Sequence, residues 1–270
     1  MKLICLGLVV LSFSVMTLIG DETPWRSVPN LLSQVRMDEK TAEVVAKIEK
    51  AIDPTGMLKR NVPFQFRSCI IRTDAAGIPQ TPFYTVVSGE FPGRLRIDVF
   101  DESKEKTFVL FADGSSAKTV EKGGKITELS PEKANLLRRQ LLAVRSFYAV
   151  AEEIRLTGEK SMCNDRSCMV LAFDFSSEVP ENGKITDRIL IDEESMLPQM
   201  LISNSEPKGV TRFLQYTDVE GVKVATLSEM VAPTGEKTLI SLQECRFDVT
   251  FPKEFWSPET FFAKEGTGNL

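Results

Sequence analysis

The sequence contains no histidine, and this absence removes most of the familiar active sites. Histidine is the usual general base near neutral pH and the commonest protein ligand of metal ions. Ser-His and Cys-His nucleophilic sites and histidine-containing metal sites are therefore excluded. The sequence also lacks a phosphate-binding G-x-x-x-x-G-K-[ST] loop, a dinucleotide-binding G-x-G-x-x-G motif and a G-x-S-x-G nucleophile motif.

The chain also lacks an excess of basic residues, because 33 Lys and Arg stand against 38 Asp and Glu, a net charge of −5. Nucleic-acid-binding proteins carry a basic surface, so we expect no nucleic-acid partner. Hydrophobic residues make up 42% and charged residues 26% of the 270 positions, as in a globular protein large enough to bury a sizeable core. Phenylalanine dominates the aromatic residues, with 17 Phe against three Tyr and two Trp.

Few side chains remain that could carry out bond chemistry. Among the S-x-x-K strings of the sequence, we consider those that begin at Ser115 and Ser130. Ser130 precedes Pro131 and is better explained as a helix cap, and Ser115 enters a predicted strand, where residues three apart face opposite sides. Paired carboxylates such as Asp101-Glu102 lie in predicted turns and indicate a solvated surface. We therefore expect no catalytic residue, no cofactor and no metal site, with a carboxylate- or lysine-dependent hydrolase as the alternative from the enzyme class.

The N-terminus is typical of an exported protein. Lys2 is followed by an uncharged, mainly apolar stretch from Leu3 to Gly20, and Asp21 opens the polar chain. This order of charge and apolar core predicts a secretory signal peptide over residues 1–20. An uncleaved N-terminal anchor is the alternative, although a span needs about 20 apolar residues. Either reading predicts a periplasmic or otherwise exported, cell-envelope location, with membrane association that is peripheral or made through the N-terminal segment only.

Export makes the cysteine pattern informative. Four cysteines follow the apolar N-terminal stretch, and Cys163 and Cys168 enclose the turn-forming residues Asn-Asp-Arg-Ser. We predict a disulfide between Cys163 and Cys168, with Cys69 and Cys245 as buried thiols or as a second pair. A four-cysteine zinc site is the alternative, but Cys69 and Cys245 do not form the close pair that such sites normally use.

Hydrophobic periodicity predicts a mainly β chain with two helices. Val45, Ile48 and Ile52 recur at helical spacing and predict a helix over 38–52. From Phe64 the period becomes two, which indicates ten or eleven short antiparallel strands. A second helix over 131–156 interrupts the strands, and an apolar tail from Pro252 is expected to cover a sheet edge.

Three sequence strings resemble segments of the LolA-like family, which comprises periplasmic lipoprotein carriers and outer-membrane lipoprotein-sorting proteins together with LolB and RseB relatives. The first string is Phe91-Pro92-Gly93-Arg94-Leu95-Arg96-Ile97 followed by Phe111-Ala112-Asp113-Gly114; the second runs from Ile189 through Leu197-Pro198; the third runs from Phe213 through Gly221-Val222. Each string is common by itself, but their order and spacing are moderately specific. The carriers place an arginine before the proline of the first string, where this chain has Phe91.

The resemblance implies a mainly β (α+β) fold, a strongly curved antiparallel sheet forming an unclosed half-barrel lidded by helices. Together with the sequence pattern, it predicts four parts of the chain: the signal peptide or anchor (1–20), an irregular leader (21–37), a single LolA-like domain (38–262), over which the resemblance extends, and a flexible tail (263–270). In the family, the concave apolar side of the sheet receives acyl chains or other apolar ligands.

Alternation within the strands indicates which residues would line such a cavity, because every second side chain points to one face. The predicted lipid-binding residues are Phe66, Ile70, Leu95, Ile97, Val99, Phe108, Leu110, Leu171, Phe173, Ile189, Ile191 and Phe213. The predicted helical lid comprises Leu137, Leu141, Val144 and Tyr148.

The combined hypothesis is a non-enzymatic envelope protein that binds a lipid or an acylated, lipoprotein-type protein ligand. The alternative is a protein-interaction or stress-sensor module with an envelope protein as partner, its cavity filled by its own side chains.

Overall fold

The computed structural model describes residues 35–60, 62–91, 93–114, 116–131, 134, 137, 151–176, 184–204 and 208–262. Thirteen antiparallel strands form one sheet within them. The strands are β1 (Phe64–Thr73), β2 (Phe83–Glu90), β3 (Arg94–Phe100), β4 (Lys106–Asp113), β5 (Ser116–Glu121), β6 (Ile126–Glu128), β7 (Glu153–Cys163), β8 (Arg166–Ser176), β9 (Lys184–Asp192), β10 (Pro198–Ser203), β11 (Gly209–Val219), β12 (Val222–Val231) and β13 (Lys237–Phe247).

Helix α1 (Glu39–Ile52) precedes the sheet, as predicted. The Asp38 carboxylate accepts a hydrogen bond from the Thr41 backbone N–H at 2.7 Å and caps the helix. The Thr41 hydroxyl accepts a hydrogen bond from the Leu156 backbone N–H at 3.0 Å, which fixes α1 to strand β7. Beyond the helix, the Asp53 carboxylate accepts from two backbone N–H groups of a short 3₁₀ helix, Met57–Arg60.

The sheet consists of two meanders joined through β1 and β13. Its strand order is β6-β5-β4-β3-β2-β1-β13-β12-β11-β10-β9-β8-β7. Helix α1 contacts both β7 and β12, although four strands lie between those two in the sheet. The sheet must therefore curve around the helix, and its edges β6 and β7 do not pair with each other in the described part of the chain. The result is an open half-barrel with α1 on its concave side, as predicted.

The concave side carries one apolar cluster, which we call the inner cluster. It includes Val45, Ile48 and Ile52 of α1 and apolar residues from every strand except β6. A bulge in β13 shifts the pairing of β1 after Arg67, and this shift lets Leu242 and Cys245 both face inward.

The convex side carries a second cluster over β4 and β5, which we call the outer aromatic cluster. Its buried members are Val109, Phe111, Val120, Trp256 and Phe261. The C-terminal segment therefore covers an outer face of the sheet, and the expectation that it covers an edge is wrong. Alternation explains the difference, because β4 is apolar on both faces and its outer face needs its own cover.

A buried charge network lies beneath the C-terminal segment. Arg96 and Asp98, 2% and 3% exposed, form two hydrogen bonds of 2.9 and 2.7 Å, and Lys106 Nζ lies 3.0 Å from Asp98 Oδ1. The rings of Phe255 and Phe261 lie 4.2 and 4.3 Å from the guanidinium carbon of Arg96. Their backbone carbonyls accept hydrogen bonds from Arg96 and Lys106, respectively. Charge pairing and aromatic stacking thus fix the end of the chain to β3 and β4.

The prediction of a second helix over 131–156 is wrong at the C-terminal end of that range. Residues 131, 134 and 137 are helical, but β7 begins at Glu153 and Ile154 lies within it. Gly158, just beyond the predicted helix, has φ +75° within a bulge of β7. Helical and strand periodicities overlap at these apolar positions, and pairing with β8 decides between them.

The ends of the chain lie outside the described residues, including the predicted signal peptide and the 263–270 tail. Of the predicted irregular leader, Arg36 forms a parallel bridge with Glu153 of β7. No helix among the described residues is both long and apolar enough to cross a membrane.

Candidate ligand-binding interior

The residues predicted to line a cavity come together on the concave side of the sheet. Eleven of the twelve are buried members of the inner cluster, and Phe108 is partly buried against it. They come from both meanders, which α1 and the β1–β13 pairing bring face to face. Those residues are Phe66, Ile70, Leu95, Ile97, Val99, Leu110, Leu171, Phe173, Ile189, Ile191 and Phe213.

The predicted lid is described at one residue. Leu137 is helical and fully buried in the inner cluster, and Ala134, one turn earlier, is buried there too. Leu141, Val144 and Tyr148 lie outside the described residues. Helical residues on the concave side thus contact the same apolar surface as the twelve strand residues.

Polar residues interrupt the apolar inner face at several points, among them a pair on β1 and β2. Ser68 of β1 and Thr85 of β2 are directly paired in register, and both are fully buried. Their hydroxyl groups have no hydrogen-bond partner among the described residues. Both stand at inward positions of their strands, because Phe66 and Ile70 flank Ser68 at alternate positions and Val87 follows Thr85 in the same way. An unpaired hydroxyl in an apolar interior costs free energy, so this position calls for an explanation.

Arg72 lies two positions beyond Ile70 on the inward side of β1. Its guanidinium stands 5.5 Å from the centre of the Phe83 ring, and its Nε is buried without a hydrogen-bond partner in the described part of the molecule. Burial lowers the pKa of this guanidinium, and the negative charge of nearby Glu236 raises that pKa by a smaller amount. The group remains charged at neutral pH. The inner face thus changes from apolar to cationic toward this end of β1.

A cavity of about 350 Å³ opens at another point of the rim. Phe213, which lines it, also belongs to the inner cluster, and Tyr216 is packed against that cluster. The Tyr216 hydroxyl donates to the Pro198 carbonyl at 2.6 Å and fixes the ring in the wall of the cavity. Side chains of the β7–β8 and β9–β10 turns, among them Asn164 and Ser195, complete the lining. The cavity thus lies against the inner cluster at Phe213, whose side chain is 2% exposed.

The cysteines occupy three separate places. Cys163 and Cys168 lie near the end of the β7–β8 hairpin, where they pack together in a small cluster with Val170 and Leu190. Cys69 pairs with Ser241 of β13, and Cys245 pairs with Phe66 in another part of the same two strands. This separation contradicts both the second disulfide and the four-cysteine zinc site. No group of three or more acidic, cysteine or histidine side chains in the described ranges is arranged to hold a metal ion.

The disulfide between Cys163 and Cys168 stays a prediction. All four described cysteines are free thiols. The pKa of the Cys168 thiol is raised to about 12. Burial is the main cause, and hydrogen bonding with Cys163 is the second. We expect non-reducing peptide mapping of exported protein to find Cys163 joined to Cys168, because the two cysteines lie side by side and disulfides form during folding in an oxidising compartment. Recovery of both as alkylated thiols after denaturation would contradict the pairing.

Two of the strings that resemble segments of the LolA-like family form turns between neighbouring strands. Gly114 N–H donates to the Gly93 carbonyl at 3.1 Å, and Arg94 lies 3.5 Å from Asp113, which joins the two parts of the first string. In the second string, the Asp192 carboxylate accepts from the backbone N–H groups of Glu194 and Ser195. Asp192 thereby fixes the β9–β10 turn.

Comparison with known proteins bears on the fold. No family model matches the sequence, and no curated protein matches it. Several solved structures are similar to this chain. One is a LolA superfamily protein from Nitrosomonas europaea, which aligns with a TM-score of 0.54 at 11% identity; the alignment covers 80% of this chain and 97% of that one. A putative outer membrane lipoprotein-sorting protein domain from Vibrio parahaemolyticus has a TM-score of 0.56 at 10% identity, covering 82% and 98%. The chain has a LolA-like fold.

A third solved structure is also similar to this chain. It is a DUF1329 family protein from Desulfovibrio piger, with a TM-score of 0.53 at 10% identity over 80% of this chain and 96% of that one. The similarity covers the half-barrel and spans nearly all of each relative. At these identities, the likeness concerns the fold, and the ligand must be argued from the residues of this chain.

Sequence reasoning missed the polar residues of the LolA-like interior. Ser68 and Thr85 stand at positions where alternation requires apolar side chains, and this departure was the available signal. Arg72 lies four positions after Ser68 in β1 and therefore faces the same, inner side of the sheet. Neither the cross-strand pairing of Ser68 with Thr85 nor the missing hydrogen bonds could be read from the sequence, because both depend on strand register.

Proposed function

We propose that the interior of this half-barrel binds a lipid or the acyl chains of an acylated protein, and that the protein works in the cell envelope without catalysing a reaction. The observation that carries the proposal is the inner cluster, an apolar surface formed by twelve of the thirteen strands and by helical residues on the concave side. The LolA-like fold of lipoprotein-sorting proteins and the signal-peptide-like N-terminus also support it.

The chemistry of the interior fits an acyl chain. Ligand sites are concave and mainly apolar, with few polar groups that fix orientation. The inner face provides Phe66, Ile97 and Leu171 for a hydrocarbon chain and Arg72 for a polar or anionic group near its end. Each methylene group transferred from water to such a surface contributes about 0.8 kcal/mol. Burial would therefore supply most of the binding free energy of an acyl chain that enters this interior.

A substitution that fills the interior tests the proposal. Leu171 and Val170 are neighbours in β8, 0% and 3% exposed, and they face the inner and outer sides, respectively. We expect the full chain, purified from a cell envelope, to carry lipid in about equimolar amount, as measured by native mass spectrometry and organic extraction. Leu171→Trp should reduce this lipid at least tenfold, because the added ring occupies the ligand's volume.

Val170→Trp is the matched control. It overfills an equally buried position, and both substitutions should cost about 1–3 kcal/mol of stability, measured by chemical denaturation. Only the inward substitution should remove lipid. Equal lipid loss in both variants would refute an interior site, since it would show that destabilisation alone releases the ligand.

The alternative function is an envelope protein-interaction or stress-sensor module. One observation favours it. The eleven buried residues that were predicted to line the cavity are each no more than 9% exposed, so side chains already fill much of the space beside them. Wild-type protein that carries no lipid after mild purification, and takes up none from vesicles, would favour this alternative and an envelope protein as partner.

A further inference from the structure

The convex face of the sheet carries a second group of apolar side chains, across the neighbouring strands β1, β13, β12, β11 and β10. Their chain neighbours Ile70, Leu201 and Ile240 belong to the inner cluster, so alternation turns these side chains to the outer side. All six are half-buried. We call them the outer patch, and they are Ile71, Met200, Ile202, Val210, Val231 and Leu239.

A convex face that meets only water does not explain the outer patch. Antiparallel sheets with one solvated face alternate between apolar residues inside and polar residues outside. The outward residues Gln65 and Arg67 at the start of β1 follow this rule, and Ile71 at its other end does not. The six apolar residues thus depart from the pattern on several adjoining strands.

The other apolar part of the convex face is covered by the chain itself. Over β4 and β5, the C-terminal residues Trp256 and Phe261 pack on it. Met200 and Ile202 of the outer patch pack only on strand residues in the described part of the chain. The other four belong to none of the apolar clusters that the described residues form. Contiguous apolar surface of this kind marks interaction sites.

An ion pair lies in the middle of the outer patch. Arg212 of β11 stands opposite Glu229 of β12, and their side chains, 48% and 24% exposed, form a 3.0 Å pair. On either side, Met200 pairs with Arg212 in the register and Leu239 pairs with Glu229. One row of the sheet therefore reads apolar, positive, negative, apolar.

This order of side chains matches itself, and we infer that the outer patch binds a second copy of this chain. Contacts between two identical copies are usually two-fold, so that the same surface must fit itself. A two-fold axis along the boundary between β11 and β12 places Arg212 over Glu229 of the second copy. The same rotation places Met200 over Leu239 of the second copy, so both the charges and the apolar flanks are matched.

The next row of the sheet fits the same axis. Val210 of β11 pairs with Val231 of β12 one step along the strands, and Ile202 follows on β10. The rotation places Val210 over Val231 of the second copy. An unrelated partner would have to supply both an apolar surface and a suitably ordered ion pair, whereas a second copy supplies both by symmetry.

The size of the outer patch sets the expected strength. Five strands about 4.8 Å apart give it a width of about 19 Å, at the low end for specific protein interfaces. We expect a dissociation constant in the micromolar range. Because the contact lies on the convex side, the interior of each copy stays open, and the inference goes beyond the proposed function without depending on it.

Charge reversal tests the two-fold contact. We expect the full chain, purified from a cell envelope, to change from monomer to dimer in sedimentation velocity over a concentration series up to about 200 µM. Arg212→Glu and Glu229→Arg should each raise the dissociation constant about a hundredfold, because each places like charges opposite each other across the axis. An equimolar mixture of the two variants should form mixed dimers of wild-type affinity, since every contact across the axis again joins opposite charges. Native mass spectrometry distinguishes mixed from uniform dimers.

An apolar position provides a second variant with a matched control. Val231→Lys should prevent dimer formation, because the ammonium group would lie against Val210 of the second copy. Ile126 of β6 is also apolar and 47% exposed, but it lies on an edge strand far from the outer patch. Ile126→Lys should leave the dimer unchanged. Circular dichroism should show that all variants keep the wild-type strand content.

The outcomes that contradict the inference are distinct. A wild type that stays monomeric throughout the series would show that a second copy does not cover the patch. A dimer that neither the charge reversals nor Val231→Lys weakens would form through another surface. Failure of the mixed variants to associate would exclude the two-fold contact between Arg212 and Glu229. Each result overturns the inference, and none of them affects the lipid binding measured on the same preparations.

Discussion

Replacing Arg96 with methionine should destabilise the protein by about 3–5 kcal/mol, the largest single effect that we expect from removing a charge. Asp98 is 3% exposed and receives two hydrogen bonds from Arg96. Removing the guanidinium leaves a buried carboxylate with Lys106 as its remaining cation and also removes the group on which Phe255 and Phe261 stack. The free energy of unfolding in urea measures the effect.

Two comparisons isolate the buried charge. Arg212 forms a 3.0 Å ion pair with Glu229, but its side chain is 48% exposed, so Arg212→Met should cost less than 1 kcal/mol. Arg96→Met combined with Asp98→Leu should cost less than Arg96→Met alone, because it also removes the buried carboxylate that loses two hydrogen bonds in the single variant. A loss below 1 kcal/mol for Arg96→Met would show that the network does not hold the C-terminal segment.

Replacing Gly89 with alanine should cost about 2–3 kcal/mol through overpacking. The Phe64 ring lies directly over Gly89, and a Cβ atom there would overlap the ring. Phe64 is 1% exposed and stacks on Phe66, so the ring cannot move outward. Gly89 faces the inner cluster, and the same substitution should also alter ligand binding at this end of the interior. Thermal and urea unfolding measure the stability.

Gly93→Ala provides the control, because the nearest atom to a Cβ there is a backbone nitrogen at 3.4 Å. We expect a change within about 0.5 kcal/mol. Adding Phe64→Leu to Gly89→Ala should recover part of the loss, so that the double variant costs less than the sum of the two single variants. Strict additivity would contradict a clash between these two residues.

The sequence determined the features that depend on local pattern. Alternating Leu95, Ile97 and Val99 identified the inward face of β3, since successive side chains of a strand point to opposite sides. Asp38 and the apolar spacing after it located α1 to within one residue. Asp113-Gly114 located the β4–β5 hairpin, because a glycine with φ +59° fits that turn.

Only the tertiary structure decided the features that depend on which strands meet. Ile154 fits a helix or a strand equally well by spacing, and pairing with Phe173 makes it a strand residue. The bulge in β13 keeps Leu242 and Cys245 on the same face, which simple alternation forbids. The partners of Arg96 come from residues 255–261, distant in the sequence, so no local pattern reveals them.

The candidate site shows the same division. Its apolar lining followed from the sequence, because hydrophobic burial acts on each residue of a strand separately and leaves a period of two. Its polar part did not, because Ser68 and Thr85 become a pair only through the register of β1 against β2. Register is set by the whole sheet and fixes which side chains lie opposite each other. The sequence pattern thus determined strands with one apolar face, and the strand pairing decided where that face carries two buried hydroxyls.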